Sequence, residues 1–462
     1  MIIYLYGLSI LLYLVKTIFP KVQIDFLLSS ICLVIVLTSF FYVKRFVKVL
    51  GLIFLSLGVI MLISAGAGWK HYVLSFGPML NLLTLFTLIP ILALPIRLGE
   101  YATGIQGLVE KRVKNTGHLY MMTSGISYFF SIFMNLATLP MTYYSMRPAL
   151  DIFTLQNRER FMSRAITHGF AMPLLWAPVT PIVGIVIEMT GVSWGSVLPY
   201  VIPLSIFGLA LDWFLGLRVS SKRENQGLVE GKTAEELAIT EEKVGKKGSA
   251  RRILQIFVAI LIFNVIISIL EQVFHFSFIV LVALTVIPFA LIWSLFLKKT
   301  SAFFSGLKEH FQTHLLKMRA QFVIFLSAGF FISTIQVSGM DHLLNGWIGT
   351  FKGVIGSEIF LVLIPVIPLL LAFTGLHPAV ALALMAGSLD PNILDISPHI
   401  LTVSMLGGAV SAFLMGPYNA TIGLMSSIVN ESPFKISNWN IQFTVIYLVV
   451  LMMYLVTLQI VI

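Results

Sequence analysis

The chain has 462 residues, of which 58% are hydrophobic and only 11% charged, whereas soluble domains run near half apolar and a quarter charged. A mean hydropathy of +0.96 excludes a soluble enzyme, a disordered chain and a coiled coil, and predicts an all-α polytopic membrane protein at about 20 apolar residues per spanning helix. The net charge of +10 reads as cytoplasmic loop charge that sets topology, not as a nucleic-acid surface.

The N-terminus, Met-Ile-Ile-Tyr-Leu-Tyr-Gly-Leu-Ser, has no basic n-region and no small-residue cleavage site, which predicts a retained first helix. Hydropathy then places eleven transmembrane helices at 1–18, 23–43, 47–66, 77–96, 165–190, 195–217, 253–271, 275–297, 321–338, 400–428 and 438–462. Two further apolar stretches, 119–146 and 359–389, do not read as simple spans. Cys32 is the single cysteine and lies in an apolar run, so no disulfide framework or Cys-based metal site is expected. The chain carries no zinc-protease, P-loop or nucleophile-elbow motif.

The connections separate by charge. Lys and Arg cluster at 44–48, 97–114, 147–164, 218–252 and 298–319. Both 97–114 and 147–164 are basic, so both belong inside, and only 119–146 lies between them. That stretch must enter and leave on one side, as a re-entrant hairpin. The flanks of 359–389 are acidic, with Asp341, Glu358, Asp390 and Asp395 against one Lys352, which makes it a second hairpin entering from outside. With the N-terminus inside and the C-terminus outside, 26 of the 30 Lys and Arg are cytoplasmic, as the positive-inside rule requires of an inner cell membrane protein.

The halves also resemble each other at an offset of 239 residues. Gly169, Leu175, Pro178 and Gly184 fall on Gly408, Leu414, Pro417 and Gly423, and Asn135 falls on Thr374. The order of span, hairpin, broken span and span repeats with opposite orientation, the inverted-topology repeat of many secondary transporters. The expected organisation is a first helix over 1–22, repeat 1 over 23–217 with its hairpin at 119–146, a cytoplasmic linker over 218–252, and repeat 2 over 253–462 with its hairpin at 359–389.

Irregular backbone at membrane depth survives only where protein or a watery cavity covers it. Pro140 in the first hairpin, Gly375 and Pro378 in the second, and Pro178 and Pro417 in the following spans are the expected helix breaks. Beside them stand Asn135, Thr138, Thr180, Thr374, His377, Asn419 and Thr421, the expected substrate- and ion-binding residues. Helix N-termini at such breaks offer N–H groups and positive dipole ends to an anion, while freed carbonyls suit Na⁺ at the hairpin tips. Each of these polar residues has a plain structural alternative, satisfying backbone freed by the adjacent proline, and His377 reads equally as a ligand group or as a cap. His168 is expected near the cytoplasmic end of its span, and Asp212 and Glu188 close to the interfaces. Neither hairpin contains Asp, Glu, Lys or Arg, which disfavours a cation/proton antiporter and favours a neutral site for a small anion.

The stretch Ser-Tyr-Phe-Phe-Ser-Ile-Phe-Met-Asn-Leu-Ala-Thr-Leu-Pro (127–140) resembles the first hairpin of the ion transporter superfamily, and Met-Gly-Pro-Tyr-Asn-Ala-Thr-Ile-Gly (415–423) resembles its Gly–Pro–Asn break. That group includes the divalent-anion/sodium symporters, the arsenite and citrate carriers, and the large membrane subunit of tripartite periplasmic transporters. The resemblance implies an elevator-type, homodimeric symporter with scaffold and transport domains. Its cargo would be a small organic anion such as a C4-dicarboxylate, with Na⁺ or H⁺ as coupling ion and no other cofactor. It carries over Asn135, Thr138, Thr374, Pro417 and Asn419. The Ser-Asn-Thr motif is incomplete in the first hairpin and replaced by Thr-Gly-Leu-His in the second. Two other classes stay open: a membrane subunit served by an extracytoplasmic binding protein, and a membrane enzyme of polysaccharide assembly, for which no catalytic residue is found.

Overall fold

Apolar segments of this length satisfy their backbone in lipid only as helices, and no strand occurs among the described residues. The computed structural model describes residues 2–101, 115–150, 155, 157–224, 249–274 and 276–461. In chain order the helices are α1 (Ile2–Ile18), α2 (Asp25–Phe40), α3 (Arg45–Ser64), α4 (Trp69–Leu74), α5 (Leu80–Leu88), α6 (Ala93–Leu98), α7 (Thr116–Met134), α8 (Thr138–Leu150), α9 (Arg158–Ala171), α10 (Pro181–Thr190) and α11 (Trp194–Glu224). They continue as α12 (Ser249–Val273), α13 (Phe278–Phe296), α14 (Thr300–Lys317), α15 (Arg319–Ser338), α16 (Met340–Ile355), α17 (Ser357–Leu363) and α18 (Val366–Phe373). The last five are α19 (Pro378–Ser388), α20 (Pro391–Leu394), α21 (Pro398–Met415), α22 (Ala420–Val429) and α23 (Pro433–Val461).

Among the described residues nine helical segments are long and apolar enough to cross a membrane, or ten if the pair Met340–Ile355 and Ser357–Leu363, bent by 112°, makes one crossing. This is a multi-pass membrane protein. The helices α1 and α2 stop at 17 and 16 residues and fall short of that length. Besides the short α4 and α20, two long helices stand where hydropathy gave no span: α14, with Lys308, Lys317 and three polar or charged residues per turn in places, and the amphipathic α16, which has no buried residue. Most of the expected linker over 218–252 lies outside the described residues, as do Lys111, Arg112 and Lys114 of the basic stretch at 97–114.

The helices pack mainly in two groups. In one, α15 packs on α2 and α3, and α13 on α5 and α12. In the other, α9 packs on α7 and α11, α21 on α18 and α23, and α10 on α19 and α21. Contacts of α10 with α5 and α13, and of α15 with α19, join the groups. The chain turns at Asn135, and α8 packs back against α7 and also against α9. The second interrupted stretch, α17 to α19, turns over residues 374–377, with Gly375 at φ +94°, where a β-carbon would lie 2.6 Å from the ring of Phe46.

Caps explain several boundaries. Asn115 accepts the His118 N–H at 2.7 Å to start α7, and Asn157 accepts the Arg160 N–H at 2.9 Å to start α9, each satisfying an N–H that a helix end leaves free. The two broken spans share a local shape. The first runs from α9 through a 3₁₀ turn (Met172–Leu175) to a gap ending at Thr180; the second runs from α21 to a gap ending at Asn419. The Thr180 N–H donates to Ala177 O at 2.9 Å, and the Asn419 N–H, 239 residues later, donates to Gly416 O at 3.2 Å.

Candidate functional site

A cavity of about 280 Å³ lies between the two helix groups. One wall comes from Phe86, Pro90, His314, Met318 and Gln321; the other comes from the turn Asn135–Ala137, from Leu174, Pro181 and Ile182 at the first broken span, from His377, and from Phe413 and Ala420 at the second. Two of its pairs, Leu174 with Phe413 and Pro181 with Ala420, are 239 residues apart in sequence. Among the described residues no Asp, Glu, Lys or Arg lines it.

Four helices of ten or more residues begin at this cavity: α8 after Ala137, α10 at Pro181, α19 after His377 and α22 at Ala420. A helix start carries roughly half a positive charge and first-turn N–H groups. Four starts facing a space without charged side chains make it attractive to an anion. Its volume, at the lower end of ligand pockets, suits a small one.

Asn135 sits at φ +48° and ψ −133°, the first central position of a type II′ turn, which glycine favours. A non-glycine residue there carries about 1–3 kcal/mol of local strain, the kind retained at functional sites. His377 combines its two expected roles. Its Nδ1 accepts the Ala379 N–H at 3.2 Å, capping α19, which leaves the ring proton on Nε2 as the donor it can offer the cavity it lines. The ring is held edge-on by Phe86, Phe325 and Phe413.

The other expected residues lie elsewhere. Asn419 is buried; its Nδ2 donates to Ala412 O at 2.8 Å and Phe413 O at 3.0 Å, and its Oδ1 accepts the Ile422 N–H at 2.8 Å. It splices the break between α21 and α22 and does not line the cavity. Thr180 donates to Ala177 O at 2.7 Å, and Thr374, exposed, to Leu371 O at 2.7 Å. Thr138 and Thr421 are buried, and their hydroxyls have no hydrogen-bond partner among the described residues; they stand on α8 and α22, which pack together. Pro178 and Pro417 lie in the two gaps, Pro378 is the first residue of α19, and Gly375 takes the turn. Pro140 is the third residue of α8, where proline is tolerated, and the break comes earlier, at Asn135.

His314 and Gln321 line the cavity without having been expected. His314 belongs to α14, outside the spanning segments, and stacks on His310 with ring centroids 4.7 Å apart. Burial pushes the imidazole of His314 below the usual histidine range and that of His310 down to about 4. A second polar centre was also unexpected: His168 and Asp212, read as near the membrane interfaces, are both completely buried and hydrogen-bonded to each other.

No protein-family model matches this chain, and no curated protein matches it. Its fold is similar to that of the Alcanivorax borkumensis YdaH transporter, whose crystal structure reveals an unusual topology, with a TM-score of 0.54 and 14% identity over 80% of this chain and 84% of that one. At that identity the likeness concerns the fold.

Proposed function

We propose that the protein is a secondary transporter of the ion transporter superfamily type. It would carry a small organic anion, with C4-dicarboxylates the first class to test, across the cytoplasmic membrane with Na⁺ or H⁺. The observation that carries this reading is the uncharged cavity on which four helix starts converge, two at broken spans and two at the turns after Asn135 and before Pro378. Dipole ends replace a fixed cation there, so the anion can be bound and released without breaking an ion pair.

In this reading the two interrupted stretches are opposed re-entrant hairpins and the halves are inverted repeats. The pairing of Leu174 with Phe413 and Pro181 with Ala420 in one cavity supports it. The position of the cavity between two helix groups supports an elevator, in which the group bearing the hairpins slides along the other. Asn135, His377 and Gln321 would donate to the anion. The orphan hydroxyls of Thr138 and Thr421 are oxygen donors suited to a hard cation such as Na⁺. A homodimer of the scaffold group and an inside N-terminus complete the proposal.

The test is thermal unfolding of the purified protein with mono-, di- and tricarboxylates, sulfate and arsenite, each in NaCl and in KCl. A ligand at 100 times its Kd stabilises the folded state by about 2.7 kcal/mol. A shift with one anion class supports the reading, and its dependence on NaCl assigns the ion. Absence of any shift across the whole panel sinks the stand-alone anion carrier.

A further inference from the structure

Away from the cavity, the first half of the chain buries a charged cluster. Asp212 on α11 is fully buried and accepts from Tyr120 Oη at 2.6 Å, from Ser124 Oγ at 2.5 Å and from His168 Nδ1 at 2.6 Å. Tyr120 and Ser124 belong to α7 and His168 to α9. Arg164, one turn before His168 and 6% exposed, has no partner for Nε or Nη2 among the described residues. With Nδ1–H committed to the carboxylate, Nε2 of His168 is the open basic atom. It has no well-aligned partner among the described residues, and Asn440 of α23 is close enough to interact with it. Phe443 stacks on the imidazole with centroids 4.2 Å apart.

Packing does not require this cluster. The positions 239 residues later are Ile359 for Tyr120, Leu363 for Ser124, Val403 for Arg164, Gly407 for His168 and Leu451 for Asp212. Gly407 and Leu451 meet as His168 and Asp212 do: a β-carbon on Gly407 would lie 2.6 Å from Leu451 Cδ2. One crossing is therefore closed by a glycine and a leucine, and its counterpart by an imidazole and a carboxylate. Burying charge inside a membrane protein costs several kcal/mol and marks ion pathways and proton relays.

We infer that His168 and Asp212 form a proton-carrying site, separate from the anion cavity, through which proton binding drives the transport cycle. This rests on the transporter reading. The proton adds to Nε2 of His168; one N–H bond forms, no other bond changes, and the imidazolium pairs with the Asp212 carboxylate. Loading adds one positive charge to the cluster, which offsets one negative charge on the cargo. Both α7 and α9 connect the cluster to the cavity. The first ends next to Asn135, and the second ends at Ala171, three residues after His168 and directly before the 3₁₀ turn that carries Leu174.

The groups facing His168 are Arg164 from its own helix, Asp212 from α11, and Asn440 and Phe443 from α23; Tyr120 from α7 reaches it through Asp212, and Tyr447 stacks behind Phe443. Of the other helices packed on α9, α8 carries exposed Arg147 and Tyr144 and half-buried Tyr143. The single histidine of α21, His399, is bonded to Ser196, and α22 has no titratable side chain.

The experiment titrates purified full-length protein from about pH 8 to 4, counting protons taken up, for the wild type, for His168→Gly with Asp212→Leu, which copies the counterpart crossing, and for Asp212→Asn. The wild type should bind one more proton per chain than either variant; superimposable curves from correctly folded variants overturn the site. In parallel, labelled succinate uptake into liposomes is measured with and without a pH gradient. A several-fold gradient effect in the wild type that vanishes in Asp212→Asn supports coupling; the same gradient effect in both overturns it. If the extra proton is seen but no succinate moves in any sample, the proton site stands and the C4-dicarboxylate reading fails.

Discussion

Gly169 lies so close to the carbonyl oxygen of Ser124 that no β-carbon fits between them. The contact lets α9 press against the backbone of α7, and Gly408 makes the matching approach to Pro365, where a β-carbon would sit 2.6 Å from backbone atoms. A backbone neighbour cannot rotate away, so Gly169→Ala and Gly408→Ala should each destabilise the protein by about 1–3 kcal/mol, the range for overpacking. Gly125 is the control, since among the described residues a β-carbon there would meet only Trp213, at an ordinary 3.7 Å: Gly125→Ala should change the unfolding temperature by less than either. Equal unfolding temperatures for all three variants would contradict the close approach.

Asn419 makes three buried hydrogen bonds across the break between α21 and α22. Asn419→Ala removes them and leaves the Phe413 carbonyl and the Ile422 N–H short of a partner, while Ala412 O keeps the Gly416 N–H, a loss of about 2–4 kcal/mol. The unfolding temperature should fall in the absence of any anion. If stability is retained and only anion-induced stabilisation is lost, Asn419 binds ligand directly and does not act as a splice.

Much of this architecture is written in hydropathy and in the breakers. The spans around α3, α13, α15 and α23 follow from apolar length alone, and the turns near Asn135 and Gly375 from the polar and glycine residues interrupting apolar runs. The cluster of His168 and Asp212 was not legible, because span ends read from hydropathy fell at 165 and 217 whereas α9 begins at Arg158 and α11 runs to Glu224. Seven residues of helix at each end move a charged side chain about 10 Å deeper. The Asn157 cap followed by Glu159 was the local signal that α9 starts early. His314 and Gln321 were missed for a different reason: α14 is too polar to register as a membrane element, and only tertiary packing brings it to the cavity.

At Asn135 the backbone and the proposed ligand role pull in opposite directions. The φ of +48° suits glycine, so Asn135→Gly should leave the unfolding temperature unchanged or raise it, by up to about 1 kcal/mol in stability. The same change removes the side-chain amide from the cavity, and stabilisation by the bound anion should drop at least several-fold. Asn135→Ala should lose the ligand effect and also lower the unfolding temperature, since alanine gains nothing at positive φ. A glycine variant that still responds fully to the anion would remove Asn135 from the site.

The histidines of α14 give the cavity wall an acid limit. His310 Nε2 meets Thr87 O at 2.8 Å, so the neutral ring donates there, and burial holds its folded-state pKa at about 4 against an ordinary value of 6.5. The unfolded chain therefore binds a proton that the folded chain refuses between those values. The stabilisation is fully present above about pH 6.5 and is lost as pH falls toward 4. His314 is lowered in the same direction and stacks on His310, so the first proton bound raises the barrier to the second. Unfolding temperatures measured from pH 7.5 to 4 should fall most steeply below about pH 6. His310→Asn should flatten that slope while keeping a hydrogen-bond donor toward Thr87. An unchanged slope would mean that other groups set the acid limit and that the packing of α14 against α5 does not depend on a neutral His310.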